Sequence, residues 1–433
     1  MEKCLLLGNG GREAVLAEKI SMDYSLYSIL PYENPSIIEY VKKSNGKYIL
    51  GSPFDKKLVE EFIRKEKIEV CVISNDNLLQ DGLIDLAKNM GLKTFGPTSI
   101  GAKLEWSKTY ALDIVKKIAP EMMIKTFNIT NEIELENALK NYSNENFVVK
   151  PEGLTGGKGV KVGKEHFATK EDGCKYAKEC LNANGKVIIQ DKIKGSEFTV
   201  MVLTDGKNVV PVPITFDYPY RYDKDKGPGT GGMGCFSFSN GLLPFLNQSD
   251  VDKCVELLKK VINYVNADKI EFTGVLYGGF FKCEDGIKFI EFNARFGDPE
   301  AINVLNCLDV SFKSVMENIF NITLSAENCK FKKENSFLVY VVSKDYAIKP
   351  NNEPVIFELD ADKIRQKGVN IYFANAKQID DNKYTSVSNS RLFAIEKNGK
   401  DLSTIKKDVY EIIRTDIDKK LDYRTDIGTI YEH

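Results

Sequence analysis

The sequence predicts a fold that is partly α/β and partly α+β. Roughly the first hundred residues alternate strand and helix patterns, which is typical of βαβ units and a parallel sheet. Strand patterns dominate the later part of the chain, so we expect β-rich units there. At 433 residues the chain is too long for one ordinary core. We therefore expect roughly three or four subdomains.

The N-terminal elements lie within residues 1–102. Strand patterns cover residues 3–7, 24–30, 47–50 and 68–74, and helix patterns cover residues 12–20, 58–65 and 78–90. Alternation of this kind places helices on both faces of a parallel sheet, as in a Rossmann-like domain. Gly96-Pro97 then interrupts the pattern, so we expect the first domain to end shortly after it.

The remaining elements predict three further units. A helix at 103–117, strands at 197–203, 208–214, 274–282 and 287–293, and a helix at 251–265 predict a central domain, residues 103–123 plus 191–329. A smaller lid unit, residues 124–190, contains a strand that enters a glycine-rich turn. A polar linker at 330–334 opens a small β-rich C-terminal domain, residues 330–433, with a helix at 402–415.

Composition excludes several classes of protein. The net charge of −2 argues against a nucleic-acid partner or an anionic membrane surface. No apolar run reaches the roughly 20 residues of a membrane span, and the N-terminal apolar run stops at Gly8, too early for a signal peptide. Nine scattered cysteines without a C-x-x-C pair predict reduced thiols and a cytoplasmic protein. With only His166 and His433, zinc sites and Ser-His or Cys-His catalysis are not expected.

The first glycine cluster, residues 8–13, lies between a strand and a helix. Glycines there permit a tight turn and let helix N-terminal amides face an anion. A dinucleotide-binding loop or a plain sharp turn are the alternatives. The dinucleotide reading is weakened because Glu13 occupies the last glycine position of G-x-G-x-x-G, and no acidic residue ends the second strand.

The second glycine cluster follows the strand that carries Lys150. Its loop contains Gly153, Gly156, Gly157 and Gly159 beside Lys158, and such a loop can cover phosphates while lysines neutralise their charge. It is not a Walker A loop, because Lys158 is followed by glycine and not by Ser or Thr. A purely structural glycine hairpin remains the alternative.

The third cluster is a strand that ends in charged residues. Alternation places Glu291, Asn293 and Arg295 on one face, with Ile290 and Phe292 on the other. Two oxygen ligands and a guanidinium are what a magnesium–phosphate site requires. A solvated sheet face would show the same alternation. Upstream, residues 227–234 are so rich in glycine that close approach to a ligand is expected.

Seven strings along the chain carry a family resemblance, namely residues 7–13, 96–98, 104–108, 150–160, 225–234, 291–300 and 423–428. In this order and spacing they closely resemble the glycinamide ribonucleotide synthetase family of purine-pathway enzymes. The resemblance covers nearly the whole chain. It implies an ATP-grasp fold between the Rossmann-like N-terminal domain and the small β-rich C-terminal domain.

The resemblance also implies an ATP site clamped between two β-rich subdomains, with Mg²⁺ (or Mn²⁺) as cofactor and ATP as co-substrate. The residues that it implies for ATP are Lys108, Lys150, Gly153, Gly156, Gly157, Lys158, Gln190, Asp191, Ile193 and Glu197. Glu291 and Asn293 are implied as the metal ligands. Lys150, Asp217 and Arg295 are implied as catalytic residues.

The implied reaction joins glycine to 5-phosphoribosylamine through a glycyl phosphate. The residues implied for these substrates are Gly10, Gly11, Arg12, Glu13, Asp217, Gly231, Gly232, Met233, Arg295 and Asp298. Partners are then small molecules, with no nucleic acid and no membrane. A monomer or small homo-oligomer is expected.

Departures from the family pattern lie at the substrate end, at Ala14, Asp76, Phe216, Tyr218, Pro219, Tyr220 and Gly229, besides Gln190 at the adenine hinge. Drift within an ordinary purine enzyme is one explanation, with Arg221 replacing a lost basic group. A ligase for another amine or amino acid is the second, and a non-catalytic nucleotide-binding protein is the third. The intact Lys108, Lys150 and Glu291 argue against the third.

Overall fold

A computed structural model describes residues 1–154, 159–349 and 353–429. The N-terminal part is a five-stranded parallel sheet in the order β3-β2-β1-β4-β5. Its elements are β1 (Lys3–Leu7), α1 (Gly11–Ser21), β2 (Ser25–Leu30), α2 (Pro35–Lys43), β3 (Lys47–Leu50), α3 (Lys56–Glu66), β4 (Val70–Ile73), α4 (Asp76–Gln80), α5 (Leu83–Asn89) and β5 (Lys93–Phe95).

Two differences from the predicted N-terminal elements have local causes. The single helix expected at 78–90 is two helices, because Gly82 adopts a φ of +80° between them. Helix α2 was not predicted, although it begins in an ordinary way. The Asn34 side chain accepts from the N–H groups of Ser36 and Ile37, and Pro35 opens the first turn.

The next segment contains two helices and an antiparallel sheet in the order β6-β9-β7-β8. The helix expected at 103–117 is broken at Ser107, whose extended backbone and hydroxyl cap the second helix at the N–H of Tyr110. The elements are α6 (Lys103–Trp106), α7 (Lys108–Ile118), β6 (Thr126–Ile129), α8 (Glu132–Leu139), β7 (Phe147–Pro151), β8 (Lys161–Val162), α9 (Lys170–Asn184) and β9 (Val187–Asp191).

A second antiparallel sheet has the order β11-β10-β16-β17. Its segment contains β10 (Ser196–Thr204), β11 (Val209–Pro211), β12 (Thr215–Asp217), β13 (Tyr220–Tyr222), β14 (Lys226–Gly229), β15 (Gly234–Ser237), α10 (Gln248–Ala267), β16 (Gly274–Cys283), β17 (Gly286–Asn293), α11 (Glu300–Asn306) and α12 (Phe312–Phe320).

Strand β17 does not alternate as predicted. Its register against β16 shifts between Gly279 and Phe280, so Ile290 is an extra residue in the ladder. Phe289 and Phe292 are both buried, whereas Ile290 is only half-buried and does not share the buried face of Phe292. The prediction that places Ile290 beside Phe292 is therefore wrong. Glu291 and Asn293, which both follow the bulge, still lie two residues apart on one face.

The C-terminal part joins the middle of the chain in one antiparallel sheet. Strands β12 and β15 pair with it in the order β12-β15-β18-β23-β20, and β24 pairs with β18. Smaller sheets are β13-β14 and β19-β22-β21. The elements are β18 (Asn335–Ser343), β19 (Ile356–Glu358), α13 (Ala361–Gln366), β20 (Asn370–Phe373), β21 (Ala376–Asp380), β22 (Lys383–Ser386), β23 (Phe393–Gly399), α14 (Leu402–Asp416) and β24 (Leu421–Asp422).

The buried apolar residues form more than one core. The sheet β6-β9-β7-β8 lies in the predicted lid unit and is called the lid sheet below. It has its own core, which includes Leu135, Phe147 and Leu181. A larger core runs through the N-terminal, central and C-terminal parts. The predicted division into four domains stays a prediction. Across the described residues, none of the helices has the length and apolar character to cross a bilayer.

Candidate active site

Two lysines on different elements lie close to each other. Lys150 is buried on β7 of the lid sheet, and Lys108 begins helix α7. Burial lowers the pKa of Lys150; the charges of Glu291 and Glu197 oppose that change, and the charge of Lys108 adds to it. These mutual effects show that the four side chains surround one region. Lys108 Nζ also donates to the carbonyl of Gly153 at 2.6 Å.

Acidic side chains form the opposite wall of this region. Glu197 begins β10, and crowding by the protein together with the Glu291 charge raises the pKa of Glu197. Its side chain is still exposed to solvent, so water screens part of that effect. The wall thus offers carboxylates opposite the two lysines, as a bound metal–nucleotide complex requires.

The predicted metal ligands lie at the end of β17. Glu291 supplies a carboxylate and Asn293 an amide oxygen, which are hard donors suited to Mg²⁺. In the ranges 1–154, 159–349 and 353–429, no group of three or more His, Cys, Asp and Glu side chains is arranged as a metal site. Two protein oxygens fit a magnesium ion that takes its other ligands from phosphates and water.

Arg295 follows directly and is tied to Asn293. Its Nη2 donates to Asn293 Oδ1 and also pairs with Glu105 Oε1, both at 3.0 Å. Burial alone would lower the pKa of Arg295, but the charges of Glu105 and Asp76 raise it. Arg295 therefore remains a fixed positive charge beside the metal-ligand strand.

Sequence reasoning missed Glu105. Its carboxylate is buried on α6 and also accepts the backbone N–H of Ala294 at 2.8 Å. Burial raises the pKa of Glu105, and the Arg295 charge opposes that change. The string Leu104-Glu105-Trp106 was noted only as part of the resemblance, and no spacing along the chain links it to Arg295.

The residues predicted for adenine lie at the end of β9, an interior strand of the lid sheet, and in the connection that follows it. Gln190 is buried on β9, where its Nε2 donates to Thr126 Oγ1 at 2.9 Å. Asp191 Oδ1 accepts the Tyr142 hydroxyl at 2.6 Å. Ile193 is half-buried in the connection from β9 to β10. The predicted ATP residues Gly156, Gly157 and Lys158 lie outside the described residues.

The N-terminal glycine loop wraps around a carboxylate. Glu13 Oε2 accepts the N–H of Gly10, and its Oε1 accepts Arg12 Nε, both at 2.8 Å. Arg12 Nη1 also donates to the carbonyl of Phe296 at 3.0 Å. At Gly11 a side chain would collide with the Tyr340 hydroxyl. Arg12 and Glu13 thus hold the loop in shape, and the loop lines the cavity described below.

The glycine-rich loop after β12 packs against an aspartate. A β-carbon at Gly232 would lie 2.5 Å from Asp217 Oδ1 and 2.5 Å from Pro299 Cδ, and Gly232 has a φ of +102°. Glycine is therefore needed at this position. Burial raises the pKa of Asp217 well above its ordinary value, and the Glu300 charge adds to this. Met233 is buried, and its N–H donates to the Tyr218 carbonyl.

Arg391, from the C-terminal part, clamps this loop and was not predicted from the sequence. Its Nη1 donates to the carbonyls of Gly231, Gly232 and Asp298. Its Nη2 pairs with Asp298 Oδ2 at 3.2 Å, and Tyr340 donates to Asp298 Oδ1 at 2.7 Å. Asp298 is thus held by two residues that lie far from it in sequence.

A cavity of about 330 Å³ opens between these segments. It lies at the carboxyl ends of strands β1 to β4, where parallel sheets usually bind ligands. Its lining is rich in amides and hydroxyls, and includes Gly8, Asn9, Gly10, Tyr32, Asn75, Asp298, Asn375, Ser388, Ser390 and Arg391. Such groups suit the hydroxyls of a sugar and the oxygens of a phosphate.

Several departures from the family pattern face away from the cavity. Asp217 points to Gly232, so the neighbouring Phe216 and Tyr218 lie on the other face, in an aromatic cluster with Phe236. The Tyr218 hydroxyl accepts the N–H of Gly428 at 2.8 Å.

Arg221 is buried against the C-terminal segment. Its Nη2 pairs with Asp422 Oδ2 at 2.6 Å. The idea that Arg221 supplies a substrate-binding charge is therefore wrong. The other altered positions are Ala14, buried in α1, and Asp76, Pro219, Tyr220 and Gly229, which are half-buried.

The chain is similar to known proteins over nearly its full length. The family models "Phosphoribosylglycinamide synthetase, N domain" and "Phosphoribosylglycinamide synthetase, ATP-grasp (A) domain" match residues 2–105 and 106–301. The phosphoribosylamine–glycine ligase of Pyrococcus furiosus is 36% identical over 99% of this chain and 95% of its own length. That of Methanococcus vannielii is 34% identical over 99% of this chain and 96% of its own length.

Solved structures confirm the predicted fold class. The phosphoribosylamine–glycine ligase of Thermotoga maritima matches with a TM-score of 0.78 at 23% identity, covering 98% of this chain and 99% of that one. The biotin carboxylase domain of the Hydrogenobacter thermophilus 2-oxoglutarate carboxylase matches with a TM-score of 0.69 at 16% identity, covering 96% and 90%. The chain belongs to the phosphoribosylamine–glycine ligase family of ATP-dependent ATP-grasp ligases.

Proposed function

We propose that the chain joins glycine to 5-phosphoribosylamine, consuming ATP and releasing ADP and phosphate, as a step of purine synthesis. The observation that carries this proposal is the group formed by Lys108, Lys150, Glu291 and Asn293, with Arg295 beside it. The group combines cations for phosphates with oxygen donors for a divalent metal. We propose Mg²⁺ (or Mn²⁺) held by Glu291 and Asn293, where its charge would offset that of the phosphates.

The chemistry needs no protein nucleophile. A glycine carboxylate oxygen attacks the γ-phosphorus of ATP, so ADP leaves and an acyl phosphate forms. The amine nitrogen then attacks the acyl carbon, phosphate leaves and a proton is released. Lys150 and Arg295 offset the charge that develops on the phosphoryl oxygens. Asp217, whose pKa is raised by burial, is suited to accept the proton from the amine.

The cavity beside Asp298 is the proposed place for the ribosyl phosphate of the amine. Its amide and hydroxyl lining offers hydrogen bonds to sugar oxygens, and Arg391, which lines it, donates to the carbonyl of Gly232 beside Asp217. The phosphorylated amine would then lie on the N-terminal side of the metal strand. The substrate roles of Gly10, Gly11, Gly231 and Met233 remain part of the proposal.

The remaining proposals concern the surroundings of the enzyme. We expect small-molecule partners only, with no nucleic acid or membrane, and a monomer or small homo-oligomer. Nine free cysteines suit a reducing cytoplasm.

The test is ADP release from Mg-ATP with glycine and phosphoribosylamine generated in the assay. We expect release to require both substrates and to be lost in Glu291→Ala. If the protein binds Mg-ADP tightly but forms no ADP from ATP with these two substrates, it is a ligase for another amine or amino acid. Turnover that survived Glu291→Ala would overturn the metal assignment.

A further inference from the structure

Glu152 joins the two elements that carry the phosphate lysines. It follows strand β7 of the lid sheet, two residues after Lys150. Its side chain reaches the first turn of helix α7, which starts at Lys108 and belongs to a different part of the fold. The contact spans 43 to 45 residues of chain.

The carboxylate contacts both residues that flank Lys108. Ser107 Oγ donates to Glu152 Oε1 at 2.7 Å, and Thr109 Oγ1 donates to the same oxygen at 2.9 Å. The backbone N–H of Thr109 donates to Oε2 at 3.2 Å. Lys108 itself donates from Nζ to the carbonyl of Gly153 at 2.6 Å. Four hydrogen bonds therefore tie the end of β7 to the start of α7.

These contacts exceed what the helix needs for capping. Ser107 already caps α7 by accepting the N–H of Tyr110. Other helices of the chain are capped from within about three residues, as Asn131 does for α8 and Asn247 for α10. A second, distant carboxylate at the same helix end adds favourable charge near the N-terminal N–H groups. Its further effect is to join two separate elements.

The join matters because Lys108 and Lys150 repel each other. Each is positive, and the charge of Lys108 adds to the lowering of the Lys150 pKa that burial causes. Like charges on two separate elements favour separation of those elements unless a contact joins them. Glu152 is covalently linked to the Lys150 strand and hydrogen-bonded on both sides of Lys108. It therefore ties the chain segment that carries Lys150 to the helix start that carries Lys108.

We propose that Glu152 is a positioning residue that holds Lys108 and Lys150 in register for the phosphates of the nucleotide. The inference rests on the proposed ATP site. Glu152 itself does not need to touch the nucleotide. A pre-set pair of lysines binds phosphates without the ordering cost that two independent lysines would incur.

The test compares Glu152→Ala with Glu152→Gln. We expect Glu152→Ala to weaken Mg-ADP binding and raise the KM for ATP by about tenfold, as loss of charged hydrogen bonds does. The KM for glycine should stay within about twofold. Glu152→Gln should recover much of the loss, because its amide oxygen still accepts from Ser107 and Thr109.

Glu134→Ala is the matched control. Glu134 accepts the N–H and the hydroxyl of Thr130 in the same lid unit, but it touches neither lysine. We expect this variant to bind Mg-ADP as the wild type does. Thr109→Val removes the hydroxyl from the α7 side and should reproduce part of the effect of Glu152→Ala. The two changes together should be less than additive.

The outcomes separate the inference from the proposed function. A wild-type protein that binds no Mg-ADP would overturn the proposed ATP site itself. If the wild type binds Mg-ADP and Glu152→Ala binds it equally well, the positioning role is wrong. Tighter binding by Glu152→Ala would show that the carboxylate competes with phosphate, which also overturns it. If Glu152→Ala does not fold, Thr109→Val decides: weaker Mg-ADP binding supports the positioning role, and wild-type binding overturns it.

Discussion

At Arg295, one guanidinium meets two different acceptors, the carboxylate of Glu105 and the amide oxygen of Asn293. The first keeps the arginine charged in a buried place, and the second lets it orient a proposed metal ligand. The pair links the start of the ATP-binding part to the end of β17. A single buried carboxylate thus supports both the charge and the geometry of the proposed site.

Glu396 predicts a pH dependence of stability at the residue scale. It is fully buried on β23 and accepts from Asn306, Asn370 and Ser336. Burial raises its pKa from 4.5 to about 7. The folded state therefore binds the proton of the Glu396 carboxyl group more tightly than the unfolded state does. The resulting contribution to the free energy of unfolding is fully present below about pH 4.5 and is lost as the pH rises through about 7.

Glu396→Gln should therefore stabilise the protein at pH 8, by at most about 3 kcal/mol, with the gain shrinking toward pH 5. Glutamine keeps an acceptor for the two asparagines. Thermal unfolding at both pH values measures the effect. Glu358→Gln, an exposed change on β19, serves as control. An equal gain at both pH values would contradict a titrating Glu396.

At the residue scale, the sequence predicts proximity where it is local. Asn293 and Arg295 lie two residues apart and share a hydrogen bond, while the proposed roles of Glu291, Asn293 and Arg295 stay predictions. Tyr218 shows the limit. As a family departure it pointed to altered substrate binding, whereas its hydroxyl meets Gly428 and its ring packs in the core. Only the folded chain shows which face of a short strand meets the cavity.

At the scale of elements, the strand and helix patterns were predicted better than their breaks. Helix α7 begins at Lys108 in the middle of a continuous helical pattern, because the Ser107 cap and the distant Glu152 both favour a start there. The bulge at Ile290 likewise depends on the register of β16, which lies outside β17 itself. Such breaks are set by tertiary contacts that no single segment contains.

Arg391, in the loop between β22 and β23, is expected to affect binding of the amine substrate but not binding of the nucleotide. Arg391 holds the carbonyls of Gly231 and Gly232 and the backbone of Asp298. Arg391→Ala should raise the KM for the phosphorylated amine by about tenfold or more, since several charged hydrogen bonds are lost. Mg-ADP affinity should stay within about twofold. Arg391→Lys should recover little, because one ammonium cannot replace the planar fork.

Steady-state kinetics and Mg-ADP titration together check this prediction. Arg365→Ala is the control. Arg365 Nη2 pairs with Glu39 Oε2 at a distance of 2.7 Å and does not contact the glycine-rich loop. An equal loss of nucleotide and amine binding would mean that Arg391 supports the whole fold and not the loop.

At the scale of the whole molecule, the end of the chain folds back onto its middle. Strand β24 pairs with β18, and the following residues contact the segment between β12 and β15, which follows Asp217. The string 423–428 was recognised in the sequence only as part of the resemblance. Its role depends on contacts about 200 residues apart, which no local pattern encodes. The overall fold was predictable because each sheet has local strand patterns, but the way the parts brace one another was not.

Arg424 is the centre of this brace and predicts a combined loss of stability and activity. It is 1% exposed, and its guanidinium bonds the Tyr220 carbonyl at 3.0 Å, Asp225 at 2.9 Å and Asp426 at 2.7 Å, with the Tyr218 ring 4.8 Å away. Arg424→Met should lower the free energy of unfolding by about 2 kcal/mol. The full cost of an unpaired buried carboxylate does not apply, because Asp225 is largely exposed and water can solvate it.

The same change should slow use of the amine more than it weakens Mg-ADP binding, because the segment that loses its support packs against Asp217 through Gly232 and carries neither lysine. Thermal unfolding, amine-dependent ADP release and Mg-ADP titration measure the three quantities. Arg414→Met is the control, since Arg414 is exposed on α14. Unchanged stability with Arg424→Met would show that the C-terminal segment rests on the loop without supporting it. A loss of nucleotide binding as large as the loss of amine use would extend the brace to the whole active site.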